Sequence, residues 1–286
     1  MRDLLEPVFG PIEALAPVHR GYTNNERFIV RFADGTSAFV KAAVNDETAE
    51  WLRREHRMYE CLAGQGITPG LLAWIGGARP VLVLEDLTDG WWPPPWRDGD
   101  GDVDAVVSAL GRLADVDPPG HLTPLVDGEQ PGEGWSLVLA DPSPFLSLGL
   151  YGADWLERVG PVLREAAVAA PLAGRSLLHL DVRSDNLCLR EGAALLFDWN
   201  LACLGNPQLD VAFWLPSLAM ETGRRPEYVM ADCPPELAAY VAGFFACRAG
   251  QPVIPHAPMV RAVQLDQLRT SLPWALRTLG IDAESP

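Results

Sequence analysis

The apolar run Leu177-Leu178 leads into His179, Asp181 and Asn186, and a second run, Leu195-Leu196-Phe197, ends on Asp198. Between them, Leu187–Arg190, Glu191-Gly192 and Ala193–Phe197 have the pattern of two short strands around a glycine turn. Pairing about that turn matches residue 187 with about 197, so Asn186 and Asp198 would emerge side by side where the hairpin opens. Directly opposed Cβ atoms in such a pair are roughly 5 Å apart. An amide oxygen and a carboxylate at that separation can share hard divalent cations, with water and phosphate oxygens completing an octahedron.

Asp181 lies five residues before Asn186. Protein-kinase catalytic loops use that spacing to present a base Asp and a metal-binding Asn, and the arrangement suits phosphoryl transfer, in which the protein supplies positioning and charge neutralisation. A second clue lies far upstream. Of 22 Lys and Arg residues, one is lysine, Lys41, and it stands in an apolar strand pattern where a compact ammonium can reach phosphate oxygens as a point charge. In the following helical pattern Leu52, Glu55, Tyr59 and Leu62 recur at steps of three and four, which puts a carboxylate in the stripe that should face the core. An unpaired buried carboxylate is costly or takes up a proton, so Glu55 is the expected counter-ion of Lys41. Glu50 and Glu60 fall off that stripe.

The elements that must position these groups divide by pattern. Strand-like segments run over Arg27–Phe32, Ser37–Val44 and Pro80–Leu87, with Asp34-Gly35 marking a tight hairpin and one helix at about Glu47–Ala63. The Trp- and Pro-rich stretch Asp89–Asp104 reads as a loop, after a hinge near Glu85–Asp89. Helical patterns follow at about Val103–Val116, Ala153–Ala169, Leu209–Glu221, Glu236–Arg248 and Pro258–Gly280, the last interrupted by Pro273. The plan is a small strand-rich N-terminal lobe, residues 1–87, and a larger helical C-terminal lobe, residues 88–286.

Over roughly residues 15 to 280 the chain resembles the aminoglycoside phosphotransferase and choline kinase-like superfamily of small-molecule kinases. The likeness rests on H-x-D-x-x-x-x-N with its following Asp (His179, Asp181, Asn186, Asp198) and on Gly205-Asn206-Pro207-Gln208-Leu209-Asp210, which looks like the family's G-x-P-x-x-D. Gly21-Tyr22-Thr23-Asn24-Asn25 looks like its nucleotide loop, and Val83-Leu84-Glu85-Asp86-Leu87 like its hinge. The resemblance implies an α+β, protein-kinase-like two-lobed fold, with an antiparallel sheet and one helix in the N-terminal lobe. It implies that Asp181 deprotonates an acceptor hydroxyl, that Asn186 and Asp198 hold magnesium against the phosphates of ATP or GTP, and that Asp210 braces the catalytic loop. Lys41, Glu55, Gly21, Thr23, Asn24, Glu85 and Leu87 would serve the nucleotide, while His179 packs beneath the loop. Two departures stand out: Asn200 occupies a position where many relatives have an acid, and the nucleotide loop has a single glycine, Gly21.

Composition narrows the alternatives. A net charge of −16 argues against nucleic acid and anionic membrane partners and, with the resemblance, favours a polycationic acceptor such as an aminoglycoside. Acids available for it include Glu221, Glu227, Asp232 and Asp266; choline-like, macrolide or metabolite alcohols also fit. Val40 and Ala42 flank the lone lysine, which excludes a Walker A loop. Five cysteines without a C-x-x-C pair, an acidic N-terminus and no apolar run near the roughly 18 residues of a membrane span point to a cytoplasmic protein, monomeric or weakly dimeric. The tryptophans at 91, 92 and 96 serve equally as a stacking surface or as a packed cover. The rival class is a nucleotide-binding module without turnover, disfavoured because Lys41, Asp181, Asn186 and Asp198 are all present. Lys41→Ala is expected to lose both nucleotide affinity and turnover, measured by nucleotide titration and a coupled assay; unchanged values in both would remove Lys41 from the site.

Overall fold

The computed structural model describes residues 1–18, 25–97, 99–127, 134–255 and 257–282. In chain order the elements are α1 (Arg2–Phe9), β1 (Ile12–Pro17), β2 (Glu26–Phe32), β3 (Ser37–Ala42), α2 (Asp46–Cys61), β4 (Leu71–Ile75), β5 (Val81–Glu85) and α3 (Gly101–Ala114). There follow α4 (Gly134–Ala140), α5 (Ser143–Leu146), α6 (Ala153–Val168), β6 (Ser176–Leu178), β7 (Leu187–Arg190), β8 (Ala193–Leu196), β9 (Cys203–Gly205), α7 (Gln208–Thr222), α8 (Pro235–Ala249) and α9 (Val260–Thr278). An antiparallel sheet near the N-terminus is thus followed by a mainly helical remainder, the class implied by the sequence.

By packing, the chain forms two compact units. One joins residues 1–119 to 184–202; the other joins 120–183 to 203–286. These packing units group the chain differently from a division after residue 87, because the hairpin that carries Asn186 and Asp198 belongs with the N-terminal sheet.

In the first unit the strands pair antiparallel in the order β1-β2-β3-β5-β4. The β2–β3 connection is built by Asp34-Gly35 as expected: Gly35 has φ 88°, and the Asp34 carboxylate accepts from the Thr36 amide at 2.9 Å and the Thr36 hydroxyl at 2.7 Å. Strand alternation then sorts side chains between two faces. Ala38, Val40 and Ala42 join Val30, Phe32, Val81 and Val83 in a core that Leu5 of α1 closes, which sends Lys41 to the opposite face, toward α2. Helix α2 starts cleanly because Asn45 and Thr48 form a reciprocal capping box and Asp46 and Glu47 sit in its first turn.

The proline- and tryptophan-rich segment after β5 packs on the β7–β8 hairpin. Leu87, Cys188 and Leu195 form a small core with Trp92 and Phe197, and Trp91 and Leu189 exchange backbone hydrogen bonds at 2.8 Å. Trp92 therefore covers the hairpin. The expected hinge at Glu85–Asp89 stays within this unit.

In the second unit, α8 packs against α4, α6 and α9. Gly134 lets α4 approach α8 closely, since a Cβ there would lie 2.0 Å from the Gly243 carbonyl oxygen. Helix α9 runs unbroken through Pro273, contrary to the expected interruption, because Leu272, Trp274, Ala275 and Leu276 on either side of it are buried and hold both turns in place.

Asn45→Ala removes the cap of the helix that presents Glu55. It is expected to lower stability by about 1 kcal/mol, read as a lower urea midpoint with an unchanged m-value; an unchanged midpoint would show that the cap adds nothing here.

Candidate active site

The first unit gathers a charged cluster on the α2 face of the sheet. Lys41 stands on the central strand, buried, with its ammonium on Glu55 Oε1 and 3.5 Å from Asp198 Oδ1. Glu55 is itself 1 % exposed, so the pairing expected from sequence periodicity is present. Asn200 completes the cluster: its Nδ2 donates to Glu55 Oε1 at 2.8 Å and to Asp198 Oδ1 at 2.5 Å. Arg27, directly opposite Lys41 in the β2–β3 ladder, adds a second positive charge facing Asp198 and Glu55. Sequence reasoning missed Arg27, although its position opposite Lys41 follows once the Asp34-Gly35 turn sets the register.

Two carboxyl groups this close divide their titration. Burial, and then the neighbouring Asp198 charge, push Glu55 up to about 8 against the downward pull of Lys41. Burial also acts to raise Asp198, but Lys41, hydrogen bonds involving Glu55 and Asn200, and the Arg27 charge together hold it well below the ordinary carboxylate range. Asp198 is thus the group kept ionised at neutral pH, as a cation ligand must be. Its backbone is left-handed (φ 68°, ψ 64°), a conformation disfavoured for any residue with a Cβ and here fixed by the contacts of its side chain.

The β7–β8 hairpin closes on Glu191 (φ 52°) and Gly192 (φ 78°), a two-residue turn with both residues at positive φ. Its register differs by one from the expected pairing: Leu187 faces Leu196, and the Phe197 amide donates to the Asn186 carbonyl at 3.1 Å. Asn186 thus ends the 3-10 turn just before β7, bonded to Phe197, and Asp198 follows one residue beyond. Asn186 is buried. Among the described residues no group of three or more His, Cys, Asp or Glu is placed to hold a metal. Asn186 and Asp198 offer an amide oxygen and an ionised carboxylate, both hard donors that fit Mg2+ when water and phosphate oxygens supply the other positions.

The second unit contains the remaining catalytic candidate. Strand β6, paired with β9, delivers the chain into His179-Leu180-Asp181. His179 is fully buried, and its Nδ1 accepts the amide N–H of Asp181 at 3.2 Å. Beyond β9, the Asn206 side chain accepts the Gln208 amide at 3.1 Å and starts α7, whose first turn carries Asp210. The buried Asp210 carboxylate accepts the amides of His179 at 2.9 Å and Leu180 at 2.6 Å. This grip fixes Leu180 at φ 58° and so sets the direction of Asp181, which lies 3.4 Å from Arg183 and remains partly exposed.

Other expected residues are placed as follows. The side chain of Glu85 is engaged by Arg190 at 2.6 Å and the Gly70 amide at 3.1 Å, and the Leu87 carbonyl accepts from Gly90 and from Trp92 Nε1, both at 3.0 Å. Leu87 is buried, and the Glu85 amide donates to the Gly70 carbonyl at 2.8 Å. Gly21, Thr23 and Asn24 lie outside the described residues. Of the acids offered for a cationic acceptor, Glu227 is held by Arg277 at 2.7 and 3.0 Å, and Asp266 by Arg269 at 2.9 Å.

The model of the phosphotransferase enzyme family matches residues 14–253. No curated protein matches the chain. Among solved structures it is similar to a thermostable mutant of aminoglycoside phosphotransferase APH(4)-Ia in ternary complex with AMP-PNP and hygromycin B, at TM-score 0.60 and 15% identity over 99% of both chains. It is also similar to choline kinase LicA from Streptococcus pneumoniae (TM-score 0.58, 14% identity, 98% of this chain and 97% of that one). A third is the Plasmodium vivax ethanolamine kinase (0.59, 13%, 97% and 86%). At these identities the likeness is one of fold, the protein-kinase-like architecture implied by the sequence.

Burial raises Asp210 to about 6, against the pull of the two amides it accepts. Below that pH it takes up a proton and loses acceptor capacity, so turnover is expected to fall on the acid side with a midpoint near 6. Asp210→Asn turns an N–H toward one amide; it should cut kcat roughly tenfold to a hundredfold at neutral pH and abolish this limb. Rate profiles of both proteins over roughly pH 5 to 8 test this, and an acid limb that persists in the variant assigns the titration elsewhere.

Proposed function

Because the chain belongs to the phosphotransferase enzyme family, we propose that it transfers the γ-phosphoryl group of ATP or GTP to a hydroxyl of a small molecule, with Mg2+. The observation that carries this reading is the buried Lys41 ammonium between Glu55 and Asp198. A buried lysine held by two carboxyl groups is an anion site kept ready, and an incoming polyphosphate competes for its charge. Asn186 and Asp198 are assigned to the metal, which when bound would neutralise phosphate oxygens. Asp181 is assigned as the base that takes the acceptor's hydroxyl proton, and Asp210 keeps it aimed. Residues 1–87, with Gly21, Thr23, Asn24, Glu85 and Leu87, are assigned to the nucleotide.

For the acceptor, an alcohol bearing a cationic nitrogen has most support. The complexes and names of the similar kinases include hygromycin B, choline and ethanolamine, each an alcohol whose nitrogen is cationic at neutral pH, and the −16 net charge would draw such a molecule in. Arginines already neutralise Glu227 and Asp266, which narrows the acids available to it. Among the described residues no helix is long and apolar enough to cross a membrane; a cytoplasmic, monomeric or weakly dimeric enzyme is the form we assign.

The test is a mass-spectrometric screen of alcohols bearing amine or quaternary ammonium groups for the gain of one phosphoryl group in the presence of Mg2+ and ATP. Asp181→Asn should lose turnover by roughly a thousandfold or more while keeping nucleotide affinity, whereas Asp198→Ala should weaken Mg2+-dependent nucleotide binding. A fully active Asp181→Asn enzyme would remove the base assignment, and nucleotide binding without any phosphorylated product would favour a binding module.

A further inference from the structure

The side chain of Asn200 is committed to the charged cluster. Its Nδ2 donates to Glu55 Oε1 at 2.8 Å and to Asp198 Oδ1 at 2.5 Å, the same two oxygens that the Lys41 ammonium meets. Two nitrogen donors and two carboxyl oxygens therefore alternate around a closed ring, lysine on one side and amide on the other. The amide can point only one way. Flipped, its carbonyl oxygen would face two carboxyl oxygens with too few hydrogens to share. The cost of the correct orientation is visible at the other end of the group, where Asn200 Oδ1 is buried without a hydrogen-bond partner.

We propose that Asn200 is a positioning residue for nucleotide binding, which keeps Glu55 and Asp198 in place when the Lys41 ammonium turns to the phosphates. This rests on the phosphotransferase reading above. In the ring the lysine helps to hold Glu55 and Asp198 to one geometry, and its hold on Asp198 is already long at 3.5 Å. A polyphosphate draws that charge away. The amide carries no net charge, has no comparable attraction to phosphate, and spends both of its hydrogens on the two oxygens, so the pair stays aligned while the lysine is shared. An acid at position 200 would instead add a third carboxyl group to the cluster, and would need a further cation to be tolerated.

The experiment compares the wild-type chain with Asn200→Ala and Asn200→Asp, in isothermal titration with Mg-ATP, in melting temperature without ligand, and in KM for the acceptor found by the screen. Asn200→Ala should raise the Kd for Mg-ATP roughly tenfold to a hundredfold with the acceptor KM unchanged. The isosteric Asn200→Asp should weaken nucleotide binding at least as much, since shape is kept while the donor is lost and a third carboxyl group is added. A purely structural residue would lower the melting temperature and disturb both substrates together. Either variant binding Mg-ATP as tightly as the wild type overturns the proposal, as does loss of cooperative melting in both. A wild-type chain that binds no nucleotide overturns the phosphotransferase reading itself, so the two failures are told apart.

Discussion

A charged ammonium inside a protein has to be compensated, and around Lys41 that requirement organises the first unit. Placing it on the central strand of an antiparallel sheet removes it from water, so an acid must come to it from another element. Helix α2 supplies Glu55 from a stripe that is otherwise apolar, and the chain beyond β8 supplies Asp198. The sheet, the helix and the distant hairpin are therefore linked by one electrostatic demand as well as by hydrophobic packing. Removing either acid would leave the lysine under-compensated, and removing the lysine would leave a buried carboxyl group, which is why the three positions act as one unit.

The two loops assigned to the chemistry share a second device. Asp198 and Leu180 both adopt left-handed backbone, which residues with side chains avoid, and both are held there by specific bonds. Asp210 grips the amides of His179 and Leu180, while Lys41 and Asn200 grip the carboxylate of Asp198. In each case a neighbour offsets the local strain and the functional side chain is left aimed in one direction.

Much of this was legible in the sequence, for identifiable reasons. A single lysine among arginines singled out Lys41, helical spacing singled out Glu55, and the spacing of Asp181, Asn186 and Asp198 marked the loop. The misses have physical causes too. The hairpin register slipped by one because Leu195-Leu196-Phe197 is apolar throughout and offers no alternation to fix it. The edge strands β1 and β4 escaped because each buries little, and α4 because it is short and opens on glycine. The contact of Asn200 with Glu55 joins residues 145 positions apart, so nothing local could announce it.

The isolation of Lys41 in the composition has a practical side. A chain with one lysine has one side-chain amine, and here that amine lies at the centre of the charged cluster. Acylating reagents that ignore guanidinium groups have a single side-chain address to modify, sheltered until the ring around it opens. The extent of labelling at Lys41, read on the peptide that carries it and so apart from the α-amine of the N-terminus, would therefore gauge how often that ring is open.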